Sequence, residues 1–276
     1  MDSADPASAV PVALFGAAGA PCQLARQIAG RLAADPRWKL LGELAEDRLQ
    51  AAMDAGARIL DLRPGAPSPL PGSKVLPECA LVEVARPRLF GARHLALPDA
   101  ATAAALIACH PLLVQGLFVP DHVVLLVGGE APGRVAELSG AAVEAIAVWL
   151  QALKLLPQPR LVASVMTAPI GSAVLAIVSG LVATADAGDP RVIRAALLAQ
   201  PDEPGRRICS PGRLPDLASI AGSAVAEVAA ATDMLAERAT TACALDGPSF
   251  LAAAAVRALE AAIEAPPKPA SVPGRL

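Results

Sequence analysis

Pro11-Val12-Ala13-Leu14-Phe15-Gly16-Ala17-Ala18-Gly19-Ala20-Pro21-Cys22 is the stretch on which the fold turns. A short apolar run meets a glycine turn, and a helical pattern follows in which Leu24, Ile28 and Leu32 recur on one face. Strand, glycine turn and helix in that order make the entrance to a Rossmann-like, dinucleotide-binding type of fold. In such a turn the first glycine makes the bend, the second lets backbone approach a pyrophosphate, and the third lets the helix pack on its strand. Gly16 and Gly19 take the first two places and Cys22 the third, while Pro21 removes one N–H from the helix end that would face an anion. Gly16, Ala17, Gly19 and Ala20 are therefore the candidate cofactor-binding residues. Glu43 and Glu46 lie near the ~20-residue offset at which these folds place a ribose-reading acid. Gly-x-x-Gly after a strand is also an ordinary turn, so a retained cradle and a structural relic both stay open.

Outward from this turn the strand and helix signals alternate. Residues 38–44 read as a strand, 47–55 as a helix stopped by Gly56, and 58–62 as a further strand, which points to a parallel sheet. The proline-rich stretch 63–77 is a loop. Residues 80–85 and 94–97 read as two more strands, and 101–108 as a helix expected to stop before Pro111, with Asp99 placed to cap it. Beyond it, strands are expected at 122–127, 161–167 and 173–182, a long helix at 134–155 and a loop at 201–215. Alanine-rich segments at 225–232 and 238–245 blur the periodicity and allow a helical or an extended reading, of which strands are taken; 250–264 is read as the final helix and 266–276 as a mobile tail.

Composition narrows the function. The 276 residues include 54% hydrophobic ones, enough for a large core, but no Tyr and only four Phe and two Trp, so Ala, Leu and Val must do the packing. A net charge of −3 without a basic cluster gives no attraction to nucleic acid. The N-terminus Met1-Asp2-Ser3-Ala4-Asp5 is acidic where a secretory signal is basic, and no run reaches the ~20 apolar residues of a membrane span. A cytoplasmic protein without a membrane segment is expected. Five dispersed cysteines (Cys22, Cys79, Cys109, Cys209, Cys243) suit reduced thiols, and with His94, His110 and His122 equally scattered no metal centre is indicated.

Several segments, taken in order, resemble the aspartate-semialdehyde dehydrogenase family, and most of all its paralogues that lack the catalytic cysteine. The segment 12–20 is similar to that family's first strand and Gly-Ala-Thr-Gly-Ala turn, and 55–61 to its Ala-Gly-x-x-Val-Ile-Asp strand. Leu81-Val82-Glu83-Val84 resembles Val-Pro-Glu-Val. Pro98-Asp99-Ala100-Ala101-Thr102, followed by His110-Pro111-Leu112, is similar to the active-site segment that reads Pro-Asn-Cys-Ser/Thr-Thr and ends in Lys-Pro-Leu. The segment 163–169 resembles the strand carrying Arg-Val-Pro and then Gly-His, and Ala244-Leu245-Asp246-Gly247 resembles the Asp-Asn-Leu/Val segment before the terminal helix.

The resemblance implies a Rossmann-like parallel sheet with a second α+β dimerisation domain. The first would take 1–110 plus the C-terminal helix 247–265, and the second 111–246. Position by position, the family's acyl-forming cysteine falls on Ala100, its neighbouring asparagine on Asp99, its substrate-binding arginine on Thr167, and its general-base histidine on or near Val174. A methyl group cannot form a thioester, a threonine cannot grip a carboxylate bidentately, and an aliphatic chain cannot move a proton. Cys109, ~13 Å further along a helix, is too far to stand in for Ala100. The reading that follows is a pseudoenzyme acting as a scaffold or interaction protein, as a homodimer or a heterodimer with a related chain. A nucleotide sensor using the glycine turn comes second. An NADP-dependent semialdehyde dehydrogenase, with NADP as cofactor, comes third and requires a different placement of the active-site segment.

Overall fold

Strand β1 (Val10–Phe15) is buried along 12–15, as a continuous apolar run covered on both faces requires. It pairs in parallel with β2 (Trp38–Glu43) and β3 (Arg58–Asp61). With β5 (His94–Ala96) and the two-residue β4 (Glu78–Cys79), these form a parallel sheet of order β2-β1-β3-β5-β4. Val12 and Leu14 face Leu24, Ile28 and Leu32 of helix α1 (Cys22–Ala33), the stripe expected from the helical spacing. On the other face Ala13, Phe15 and Ile59 meet Leu49 of α2 (Glu46–Asp54) and Leu70. The computed structural model describes residues 9–17, 22–65, 67–70, 73–128, 135–157, 159–168, 170–183, 189–199, 205–233 and 237–264, so Gly19, Ala20, Pro21 and the expected mobile tail lie outside the described residues.

Helix α4 (Ala100–Val114) leads from β5 into a second, mixed sheet. Its strands are β6 (Phe118–Gly128), β7 (Val162–Ala168), β8 (Ala173–Val182), β9 (Arg206–Ile208), β10 (Ala226–Asp233) and β11 (Arg238–Asp246), in the order β7-β6-β8-β11-β10-β9. The chain then returns to the first sheet through α8 (Gly247–Ile263), which packs on α1 and on α3 (Val82–Leu89). Every residue of α4 from Thr102 to Leu113 is buried, and its alanines let the helix lie close on β8 and β11. Helix α5 (Val135–Ala152) flanks β7, and α6 (Pro190–Leu198) flanks β10. The two sheets with their helices make an α/β Rossmann-like half and a second α+β half, as expected.

The face of the second sheet turned away from α4 is only partly covered. Leu126 pairs with Met166 and Leu175, and Val124 with Ile177, so apolar side chains lie in register across three strands. Met166 is 56% exposed and Leu181 51% exposed. The one-turn helix α7 (Leu217–Ile220) shields the far end of this face through Ile220 against Ala173 and Ala244.

Three sequence expectations are corrected. Residues 80–85 are not a strand: β4 ends at Cys79, and α3 takes Val82 onward, burying Val82, Glu83, Val84 and Ala85 together. Glu83 can be buried in this helix because Arg257 of α8 holds its carboxylate inside the protein at 2.7 Å. Helix α4 does not stop before Pro111 but runs through it to Val114. Burial of the whole turn outweighs the single backbone hydrogen bond the proline removes. The segment 201–215 is not all loop, because β9 adds a parallel edge strand beside β10.

Candidate functional site

A cavity of about 310 Å³ opens where the carboxyl ends of the first sheet meet the second, the place at which open α/β sheets hold their ligands. Leu62 follows β3, while Leu97, Pro98 and Asp99 follow β5; Leu24 comes from α1 and Leu251 from α8. The second sheet contributes Val127 and Gly128 at the end of β6, Ser172 in the β7–β8 turn, and Val174 on β8. Three of the positions singled out in the sequence, Asp99, Ala100 and Val174, thus line one space. Thr167 does not line it; it sits on β7 opposite Val127.

Two helix N-termini reach this cavity, α4 at Ala100 and α8 at Gly247 and Pro248. A helix start carries partial positive charge and unpaired N–H groups, which suits an anion or a thiolate. Here each start is occupied by its own aspartate. Asp99 Oδ1 accepts from the Thr102 backbone N–H at 2.9 Å, and Oδ2 accepts from the Thr102 hydroxyl at 2.7 Å, the cap the sequence led us to expect. Asp246 Oδ1 accepts from the Ser249 N–H at 3.1 Å, while Oδ2 accepts from the Ser172 hydroxyl at 2.6 Å and the Gly222 N–H at 3.1 Å. Burial pushes the Asp246 carboxyl up, but the hydrogen bonds from Ser172, Gly222 and Ser249 prevail and hold it below the usual carboxylate range. The two helix starts also touch. A Cβ added to Gly247 would lie 3.2 Å from Ala100 Cβ, so α8 can begin here only with glycine or a yielding neighbour. Ser172 and Asp246 were not singled out as site residues by the sequence reading, although Asp246-Gly247-Pro248-Ser249 has the form of a helix cap.

No thiol or imidazole among the described residues lines the cavity. Cys109 lies deep in α4, its thiol pushed up to about 12 by burial, and the buried thiols of Cys79 and Cys243 are pushed up as well. Cys209 lies beside Glu227, and both burial and that carboxylate raise it. His110, also on α4, is lowered to about 4 by burial, helped by the nearby Arg206 cation. His94 sits 3.2 Å from Asp61 at the first sheet. No group of three or more His, Cys, Asp or Glu among the described residues could hold a metal ion.

The glycine turn is described as far as Ala17. Gly16 has φ +72, a left-handed conformation that favours glycine, and the space a Cβ would take is filled by Arg63 Cγ. Arg63 stacks over the Phe15 ring at 4.7 Å and pairs with Asp61 at 2.6 Å. Burial raises the Asp61 carboxyl, yet hydrogen bonds from His94 and Arg63 hold it below its ordinary value. Glu43 is the last residue of β2, the position from which an acid reads a ribose in dinucleotide folds. Gly16 holds the turn and Glu43 ends β2, while the expected contacts of Gly19 and Ala20 fall outside the described residues.

A parallel sheet and a mixed sheet, with a cavity between the two, make a two-part architecture of a Rossmann-like half and an α+β half. No family model matches the sequence, and no curated protein matches it. Among solved structures the chain is similar to a probable aspartate-semialdehyde dehydrogenase from Pseudomonas aeruginosa, with a TM-score of 0.62 at 16% identity over 92% of this chain and 97% of that one. It is also similar to aspartate semialdehyde dehydrogenase II from Vibrio cholerae in complex with ASA, with a TM-score of 0.59 at 14% identity over 92% of this chain and 98% of that one. The chain has the aspartate-semialdehyde dehydrogenase fold. Among its described residues no helix is long and apolar enough to cross a membrane.

Proposed function

We propose that this chain is a catalytically silent protein on the aspartate-semialdehyde dehydrogenase fold, working as a dimeric scaffold or interaction partner. One observation carries the reading: Ala100 and Val174, on which the resemblance places the acyl-forming cysteine and the general base, line a single apolar cavity that no thiol or imidazole enters among the described residues. A methyl group forms no thioester and an isopropyl group moves no proton. Thr167, in the place of the substrate-binding arginine, lies outside the lining, and the Asp99 carboxylate is spent on capping. Purified protein incubated with aspartate semialdehyde, phosphate and NADP is expected to give no reduced-nicotinamide absorbance. Turnover would reject the reading in favour of an NADP-dependent dehydrogenase.

The uncovered face of the second sheet supports self-association. Apolar residues in register across β7, β6 and β8, with Met166 and Leu181 more than half exposed, form the sort of patch that soluble chains bury against a copy. Sedimentation at micromolar concentration is expected to show a dimer, and Met166→Glu with Leu181→Glu to release monomer. A reducing, cytoplasmic setting belongs to the same reading, consistent with the free thiols of Cys79, Cys109, Cys209 and Cys243. Glu43 at the end of β2 and the left-handed Gly16 favour a second reading, a nucleotide sensor. Calorimetric titration with NADP, NADPH, AMP and ATP separates the two, since only a retained cradle gives saturable heat.

A further inference from the structure

A second groove, separate from the Ala100 cavity and built wholly from the second half, carries cationic side chains beside an apolar floor. It runs between α6 and the turn at 210–213, over the strand residues 229–232, with a volume of about 430 Å³. This is within the ~300–1,000 Å³ range of small-ligand sites. The floor is apolar, made by Ile193 and Leu197 of α6, both almost fully buried, and by Ile208 of β9. Arg191, Arg194 and Arg213 line it as well, and no acidic residue does among those described. None of these three guanidiniums has an ion pair with a described residue.

The neighbouring pocket shows what the same sheet edge does with a cation that is already neutralised. There the Arg207 guanidinium pairs with Glu227, which also accepts from the Asp216 N–H at 2.7 Å and the Ser219 hydroxyl at 3.0 Å. Asp189, the acid nearest in sequence to Arg191, is engaged in capping α6, where it accepts the Arg191 backbone N–H at 2.7 Å. An apolar floor and three cationic side chains, none of them ion-paired to a described residue, complement a ligand with an aliphatic body and one anionic end. Guanidinium forks match carboxylates in shape as well as charge.

We propose that the groove between α6 and the 210–213 turn binds a small aliphatic carboxylate, its chain laid on Ile193, Leu197 and Ile208 and its carboxylate held by Arg191, Arg194 and Arg213. This site is independent of the scaffold reading and of the Ala100 cavity. The test is calorimetric titration of the full chain at low salt with octanoate, octanol and acetate. Octanoate is expected to bind saturably, one per chain, with octanol and acetate at least about tenfold weaker because each lacks one half of the match. The surface variant Arg194→Glu with Arg213→Glu is expected to lose octanoate binding while keeping the wild-type circular dichroism and unfolding midpoint. The milder Arg194→Gln should weaken it several-fold. Octanol binding as well as octanoate, or variants binding octanoate like wild type, would overturn the proposal and place the ligand in the apolar cavity beside Ala100 and Val174. Octanoate without saturable heat would overturn it outright.

Discussion

Helices α4 and α8 start side by side at the same cavity, yet they are anchored in different ways. Asp99 caps α4 locally: both carboxylate oxygens go to Thr102, three residues on. Asp246 caps α8 and at the same time ties down Ser172, 74 residues away, and Gly222 on the loop after α7. It is 4% exposed, whereas Asp99 is only half-buried. The difference shows how one kind of cap serves two ends. Around Ala100 it closes a helix start that has no other task, and at Gly247 it is the knot between the two halves of the protein.

The largest test of that contrast is to remove each carboxylate in turn. Asp246→Ala leaves a hydroxyl and two N–H groups without their acceptor and is expected to cost about 3 kcal/mol, against about 1 kcal/mol for Asp99→Ala, as denaturant unfolding would measure. Equal losses would break the comparison. A smaller effect is expected from Ser172→Ala, about 1 kcal/mol at neutral pH, with a change in acid stability beside it. Asp246 and Asp61 are both held below their ordinary pKa values in the fold. Their stabilisation is therefore complete above the unfolded carboxylate value near ~3.9 and is lost as pH falls through the folded ones. Removing the Ser172 hydroxyl takes away one of the hydrogen bonds that hold Asp246 low, so the acid unfolding midpoint should move to higher pH. An unchanged midpoint would show that Gly222 and Ser249 suffice. Ala100→Cys sharpens the same contrast with the least disturbance. Returning a thiol to the start of α4 is expected to change stability by less than about 0.5 kcal/mol, and to give no NADP reduction with aspartate semialdehyde while Thr167 and Val174 stay as they are.

Several strands were legible because their periodicity is local: β1, β2, β3 and β8 lie where their apolar runs put them, whereas the alanine-rich β10 and β11, which periodicity left open, are extended because they pair with each other and with β8. What stayed hidden depended on distant partners. Val82-Glu83-Val84 alternates like a strand, and only Arg257, 174 residues away, makes burial of Glu83 tolerable in a helix. Strand β9 is extended because β10 offers it a parallel edge. Helix α6 was readable in principle, since Asp189-Pro190 is a cap followed by a favourable first residue, with Ile193, Ala196 and Leu197 on one side. At the cavity, the sequence pointed to Ala100 and Val174, which do meet. It also pointed to Thr167, which does not line the space, and it passed over Ser172 and Asp246. Their roles come from a β-turn and a helix cap brought together across the chain.

Helix α4 leaves the first sheet at Ala100 and is buried against the second sheet as far as Leu113, and α8 makes the return crossing as a single rod. Both covalent passages between the halves thus run through one spot, Ala100 beside Gly247, and a single side chain enlarged there would press on both at once.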